Sequence, residues 1–195
     1  MDKSIKYYEV LMVRRNSEFF RKYKLPMGYN IKNYEEGMEE KWAELETEVG
    51  EFNNILDARK YFENEFIKEN IDLSNYCYFV ESPKGNVVAT ATLWFGKHFD
   101  EGIKYRLHWV AVHPDYRGKG LAKALISYIL KNEKLKDEKY IYLTTQSWSY
   151  KAVNLYLRFG FKPYSGSRPE NWECCHMDFE NYNNEAWELI WSKIK

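Results

Sequence analysis

Between Val110 and Leu125 the chain reads Val-Ala-Val-His-Pro-Asp-Tyr-Arg-Gly-Lys-Gly-Leu-Ala-Lys-Ala-Leu. An apolar strand runs into a Pro-Asp turn, and a segment bearing Gly118 and Gly120 then opens an amphipathic helix. The first turn of a helix carries backbone N–H groups with no internal partner, at the positive end of the helix dipole. Glycines remove the side chains that would hold a ligand away from those groups. Arg117, Gly118, Lys119, Gly120, Leu121 and Ala122 therefore read as a pyrophosphate cradle, with cationic help from Arg117 or Lys119. Other phosphate cradles fit worse. The P-loop needs Gly, four residues, then Gly-Lys-Ser/Thr, and the dinucleotide fingerprint needs G-x-G-x-x-G, whereas Gly118-Lys-Gly120 is followed by Leu121, Ala122 and Lys123. On these residues alone, an ordinary glycine-rich strand-turn-helix remains the alternative.

A second stretch, Ser149-Tyr-Lys-Ala-Val-Asn-Leu-Tyr-Leu-Arg-Phe-Gly-Phe161, places Ala152, Leu155, Tyr156 and Phe159 on one face of a short helix. Gly160 suits the left-handed position that ends such a helix, and Phe161 starts an apolar strand. The two motifs stand in order, about 30 residues apart, as a βα unit requires. Arg117-x-x-Gly120-x-Ala122 resembles the acetyl-CoA signature of the GNAT superfamily of N-acetyltransferases. Ala152-x-x-Leu155-Tyr156-x-x-x-Gly160-Phe161 resembles the family's second signature.

The resemblance implies a cofactor, acetyl-CoA, and a site for it. The strand before the cradle is expected to part from the next strand, with Val110, Ala111 and Val112 meeting the pantetheine arm through backbone groups. Residues 117–122 would hold the pyrophosphate. Tyr156 would reach the CoA sulfur and protonate the leaving thiolate as general acid. Ser149 stands where many relatives have Asn. Its hydroxyl can cap the helix, while an amide contact to the pantetheine is in doubt. The reaction expected is direct acetyl transfer to an amine. The general base stays open. Lys104–Trp109 holds no acid, so His108 is the best local substitute, with Glu81, His176 and a water chain as alternatives. His108 shares strand parity with Val110 and Val112, which could turn it toward the cleft.

The acceptor expected is a small-molecule amine. Trp94, Phe95, Trp148 and Trp172 are placed near strand ends or loops that would rim the cleft, where they could stack on an apolar, aromatic or cationic amine. Two other readings stand beside this one: acetylation of a protein or peptide, and a non-catalytic acyl-CoA-binding module. Equal numbers of basic and acidic residues argue against nucleic acid or an anionic membrane as partner. No apolar run is long enough to span a bilayer, and Met1-Asp-Lys-Ser-Ile-Lys6 lacks a signal-peptide core. Cys77, Cys174 and Cys175 form neither a disulfide framework nor a zinc motif, and the histidines are scattered, so no metal and a cytoplasmic, reducing location are expected. A homodimer is an oligomeric state left open.

The elements that must position these residues can be read from periodicity. Apolar content of 45% can build a full core. Strands are expected at 5–14, 28–34, 76–81, 87–95, 105–112 and 140–145, with a closing hairpin from 161–164 and 172–179. Helices are expected at 36–48, 57–70, from the cradle to about Lys131 with Leu121, Leu125, Tyr128 and Ile129 buried, after Ser149, and at 184–195. The fold class is α/β (α+β), resembling the GNAT fold. Its central sheet would be mixed and mostly antiparallel, with about six or seven strands flanked by helices. A single domain over 1–195 is expected, with its core at about 28–179, an N-terminal extension at 1–27 and the C-terminal helix outside the core.

Overall fold

The computed structural model describes residues 1–99, 102–173 and 178–194. Among these residues the strands are β1 (Glu9–Arg15), β2 (Asn30–Asn33), β3 (Cys77–Glu81), β4 (Val87–Phe95), β5 (Tyr105–Val112), β6 (Tyr140–Gln146) and β7 (Lys162–Pro163). The helices are α1 (Met38–Glu48), α2 (Ile55–Glu65), α3 (Leu121–Ile129), α4 (Tyr150–Leu157) and α5 (Phe179–Lys193). The strands form one mixed sheet in the order β2-β3-β4-β5-β6-β1-β7. The β1–β6, β1–β7, β2–β3 and β3–β4 pairs are antiparallel, and β5 runs parallel to β6 with Tyr105 opposite Ile141 and Arg106 opposite Tyr142. Among the described residues, no helix is long and apolar enough to cross a membrane.

Contacts divide the chain into two compact units. One comprises Lys22–Trp94 with Leu107–Leu130. Its β3 is buried at Cys77 to Val80, so both of its faces are covered, and its alternation gives way to a continuous apolar run. Trp42, Phe62, Phe66 and Phe79 are fully enclosed in this unit. Asn54 caps α2 by accepting the Asp57 backbone N–H at 2.9 Å. The expected buried face of α3 is corrected at one position. Tyr128 is 44% exposed and lies edge-on against Tyr78, while Ala124 and Ile126 are buried.

The other unit comprises Met1–Arg21, Phe95–Arg106 and Lys131–Lys195. Here the N-terminal segment departs from its expected place outside the core. β1 lies between β6 and β7, with Met12 opposite both Leu143 and Pro163, and Val10, Leu11 and Met12 are buried. An EVLMVRR run with three consecutive buried residues has enough apolar surface to be an interior strand. Of the expected closing hairpin, the first arm forms at residues 162–163, while residues 174–177 of the second lie outside the described residues. β7 pairs with β1, Trp172 is buried outside any strand, and Phe179 begins α5 instead of ending a strand.

Candidate active site

Cradle and strand belong to the unit of Lys22–Trp94 and Leu107–Leu130. The His113 N–H donates to the Val88 carbonyl at 2.9 Å, which fixes the exit of β5 against β4. His113 Nδ1 then accepts the Asp115 N–H at 3.1 Å and starts a tight turn over Pro114–Tyr116. The opposite ring nitrogen, Nε2, lies 2.8 Å from the Glu48 carboxylate. After this turn, Gly118 and Gly120 take φ of 79° and 82°, the left-handed region where a side chain is strained. Gly120 is the residue before α3. No side chain caps this helix, no acid lies in its first turn, and its ladder begins with Ala124 N–H to Gly120 C=O.

The N–H groups of Leu121, Ala122 and Lys123 therefore point out of the helix start without intrahelical partners. A Cβ added at Gly118 or Gly120 would meet nothing within 4 Å, so the space before these amides is open. Arg117 and Lys119 are exposed beside it, with the Lys119 ammonium 5.3 Å from the Tyr116 ring centre. Uncapped amides, a helix dipole and two cations fit a diphosphate.

On β5, Val110 and Val112 are half-buried and Ala111 is buried. Trp109 departs from regular strand geometry: its φ is 47°, a strained value for a bulky residue. The indole packs on Trp42, Phe52 and Tyr61 at centroid distances of 5.2, 5.5 and 5.1 Å. His108 also turns to this helical pair, 6.1 Å from the Phe66 ring, with Nε2 3.7 Å from Glu65 Oε1. Adjacent residues thus share a side, and the parity that aligned His108 with Val110 and Val112 fails at Trp109. Cys77, behind this region, is buried, and burial pushes its thiol up to about 12 although Thr92 donates a hydrogen bond to it. It is no nucleophile.

Other candidates lie apart from this region. Glu81 stands beside Val87, level with the cradle end of the sheet, and pairs with Lys32 at 3.9 Å. His176 lies outside the described residues, as do Cys174 and Cys175. The expected aromatic rim is corrected. Trp94 is buried edge-on to Phe66 and Tyr76, and Trp172 is buried in a cluster with Leu11 and Tyr142. Trp148 donates its indole N–H to the Ile5 carbonyl at 2.8 Å, and Phe95 packs on Tyr105. The rings beside His108 are instead Phe66 and Trp109, and Trp109 joins Trp42, Phe52 and Tyr61. Trp42 and Tyr61 are legible as helix-face residues, but their meeting with Trp109 depends on its left-handed backbone.

Tyr156 and Ser149 lie in the other unit. Ser149 occupies the residue before α4, yet its side chain caps nothing, which corrects the expected role of its hydroxyl. Ser147 is the anchoring serine: its hydroxyl accepts the Tyr8 N–H at 3.0 Å and donates to the Lys6 carbonyl at 2.7 Å. The far end of α4 is closed as the motif predicts. Gly160 has φ of 82°, Phe161 N–H reaches the Tyr156 carbonyl, and Gly160 N–H reaches that of Leu157. This is a Schellman ending, and the Tyr156 and Phe161 rings meet 6.1 Å apart as its apolar contact. Arg14 Nε donates to the Phe159 carbonyl at 2.6 Å, satisfying another group at the helix end. Tyr156 is buried and held by this closure.

The sequence matches the model of the acetyltransferase (GNAT) family over residues 35–161, more than half of the chain. This chain belongs to the GNAT family. Among solved structures, a GCN5-related N-acetyltransferase from Sphaerobacter thermophilus is similar, with TM-score 0.61 and 16% identity, over 80% of this chain and 48% of that one. A GNAT-family acetyltransferase from Staphylococcus aureus Mu50 has TM-score 0.58 and 23% identity, over 75% of this chain and 93% of that one. A tandem GNAT protein from the clavulanic acid biosynthesis pathway has TM-score 0.60 and 13% identity, over 84% of this chain and 52% of that one. At such identities the likeness is one of fold, and this GNAT chain spans about half the length of the first of these relatives. No curated protein matches the sequence. The family match covers the cradle, β5, α4 and Tyr156 together, and reaches neither β1 nor α5. Among the described residues, no group of three or more His, Cys, Asp or Glu is placed to hold a metal ion.

Proposed function

We propose that this chain is an acetyl-CoA-dependent N-acetyltransferase acting on the primary amine of a small molecule. The observation that carries the reading is the uncapped start of α3 behind two left-handed glycines, within a chain of the GNAT family. Residues 117–122 hold the diphosphate, and the backbone of Val110, Ala111 and Val112 lines the pantetheine. Bound there, acetyl-CoA supplies an acetyl thioester, whose acyl group passes to the amine as CoA leaves as the thiol. An ammonium has no lone pair, so His108 takes one proton from it and returns that proton to solvent. Tyr156 gives a proton to the departing sulfur and recovers one from the acylated nitrogen. The sum is one amide, one thiol and one proton released.

A small acceptor is favoured by the aromatic surroundings of His108, where the half-buried Trp109 ring lies 5.3 Å away. Such rings suit a compact amine better than an extended peptide backbone. The test is a panel of amines with acetyl-CoA, reading free CoA and identifying the product by mass spectrometry. Turnover with a small primary amine, and a product heavier by one acetyl group, is the expected result. Binding of acetyl-CoA without CoA release across the panel would overturn the catalytic reading.

A further inference from the structure

The proposed N-acetyl transfer needs a base that is neutral before the reaction and stable as a cation after it. His108 and Glu65 supply these properties within one unit of the fold. The Nε2–Oε1 separation is 3.7 Å, and the side chains are 13% and 10% exposed. That distance is long for a hydrogen bond but short for a charge pair, and water screens little between groups so enclosed. Glu65 is the last residue of α2, whose final turn contains no basic residue. The imidazole therefore stands beside both a carboxylate and the negative end of a helix dipole. Burial alone would weaken proton binding by His108, and these two negative sources oppose that effect. From the other elements packed here come the uncharged rings of Trp42 on α1 and Trp109 on β5, and α2 adds the phenol of Tyr61 against Trp109.

Trp109 accounts for the pairing. In a regular strand, His108 and Trp109 would face opposite sides of the sheet. The left-handed φ of 47° puts both beside the α1–α2 pair, and so brings the imidazole to the end of α2. A strained bulky residue persists only where its surroundings enforce it, here by packing on Trp42, Phe52 and Tyr61.

We propose that Glu65 is the positioning residue of this reaction. Its carboxylate stabilises the imidazolium that forms when His108 takes the acceptor's proton. The inference rests on the N-acetyltransferase reading and on His108 as base, and its test separates the three. Imidazole titrations are followed by NMR on the full chain carrying labelled histidine, with His108 assigned by a His108→Asn variant. Glu65→Gln should lower the His108 pKa by about one unit. The acid limb of the kcat/KM profile should move to lower pH by the same interval. kcat should fall while KM for acetyl-CoA stays within about twofold, a split expected for a group that acts through the base alone. Glu65→Asp keeps the charge and should restore most of the shift, which guards against a glutamine variant that folds poorly.

An unmoved His108 titration in both variants would overturn the pairing. A shifted titration with an unmoved acid limb would remove His108 as base, and the positioning role with it. No turnover by the wild-type chain with any amine would overturn the N-acetyltransferase reading and the catalytic part of this proposal, while the NMR shift would still report the ion pair.

Discussion

Gly120 carries two constraints that a substitution can separate. Its φ of 82° penalises any side chain, and the open space before it would let a side chain extend to where an anion is expected. Left-handed backbone costs an L-residue about 1–2 kcal/mol. Gly120→Ala and Gly120→Glu should therefore lose similar stability, since neither Cβ meets a neighbour. Their effects on acetyl-CoA should differ. The glutamate adds a negative charge at the uncapped amides of α3 and should abolish binding by calorimetry, while alanine should weaken it only modestly. Equal affinities for the two variants would place the diphosphate elsewhere. Trp109 is constrained differently, because its strain comes from packing that only the folded chain provides. No local signal in Leu107-His-Trp-Val110 announces a left-handed residue, so the parity argument for His108 had no reason to stop there.

Among the elements, α4 shows why some of the site was legible and some was not. Its glycine stop is complete within consecutive residues and forms as expected, whereas its buried face runs through Val153, Tyr156 and Phe159 with Ala152 and Leu155 only half-buried. What holds its end is not local. Arg14 comes from β1, whose partners β6 and β7 lie far along the chain, and periodicity says nothing about which distant strand a short apolar run will join. The same limit hid the meeting of Trp42, Tyr61 and Trp109. Arg14→Met should cost about 2–3 kcal/mol by urea unfolding, because it strips a charged hydrogen bond from the buried Phe159 carbonyl. A loss below about 0.5 kcal/mol would show the clamp to be incidental. Tyr156→Phe keeps the ring against Phe161, so stability should hold while kcat falls. Loss of a general acid costs about 10²–10⁴, and a thiolate departs partly unaided, so the lower end is expected. An unchanged kcat with the best acceptor would leave Tyr156 a packing residue.

The stability of the full chain against pH depends on buried groups whose proton binding changes on folding, and two of them act in opposite directions. His98 has its pKa lowered to about 4, by burial first and then by the charges of Arg106 and Lys97. The Tyr142 hydroxyl, 2.9 Å from His98 Nδ1, also accepts the Lys97 N–H and so can donate to a neutral ring. With its folded pKa below the unfolded value of 6.5, His98 contributes fully above that pH. Its contribution declines as pH falls toward about 4, because the unfolded chain binds the extra proton. Glu46 does the reverse. It lies enclosed in α1 with Oε1 unpartnered, and burial first, then the charge of Glu51, holds its carboxyl well above the ordinary 4.5. The native state keeps a proton that the unfolded chain releases, so stability is complete below 4.5 and drains away as pH rises. Glu46→Gln replaces the protonated carboxyl with a neutral amide of the same shape. Between pH 4.5 and the raised pKa, the variant should gain on the wild type by up to about 1.4 kcal/mol per pH unit. For a chain of this size that is about 2–4 °C in Tm for each kcal/mol. The gap should close near pH 4, where both side chains are neutral, and the acid-side decline from His98 should be the same in both proteins. Melting curves at stepped pH decide it: a Tm difference that does not change with pH would mean that Glu46 is not held protonated by the fold.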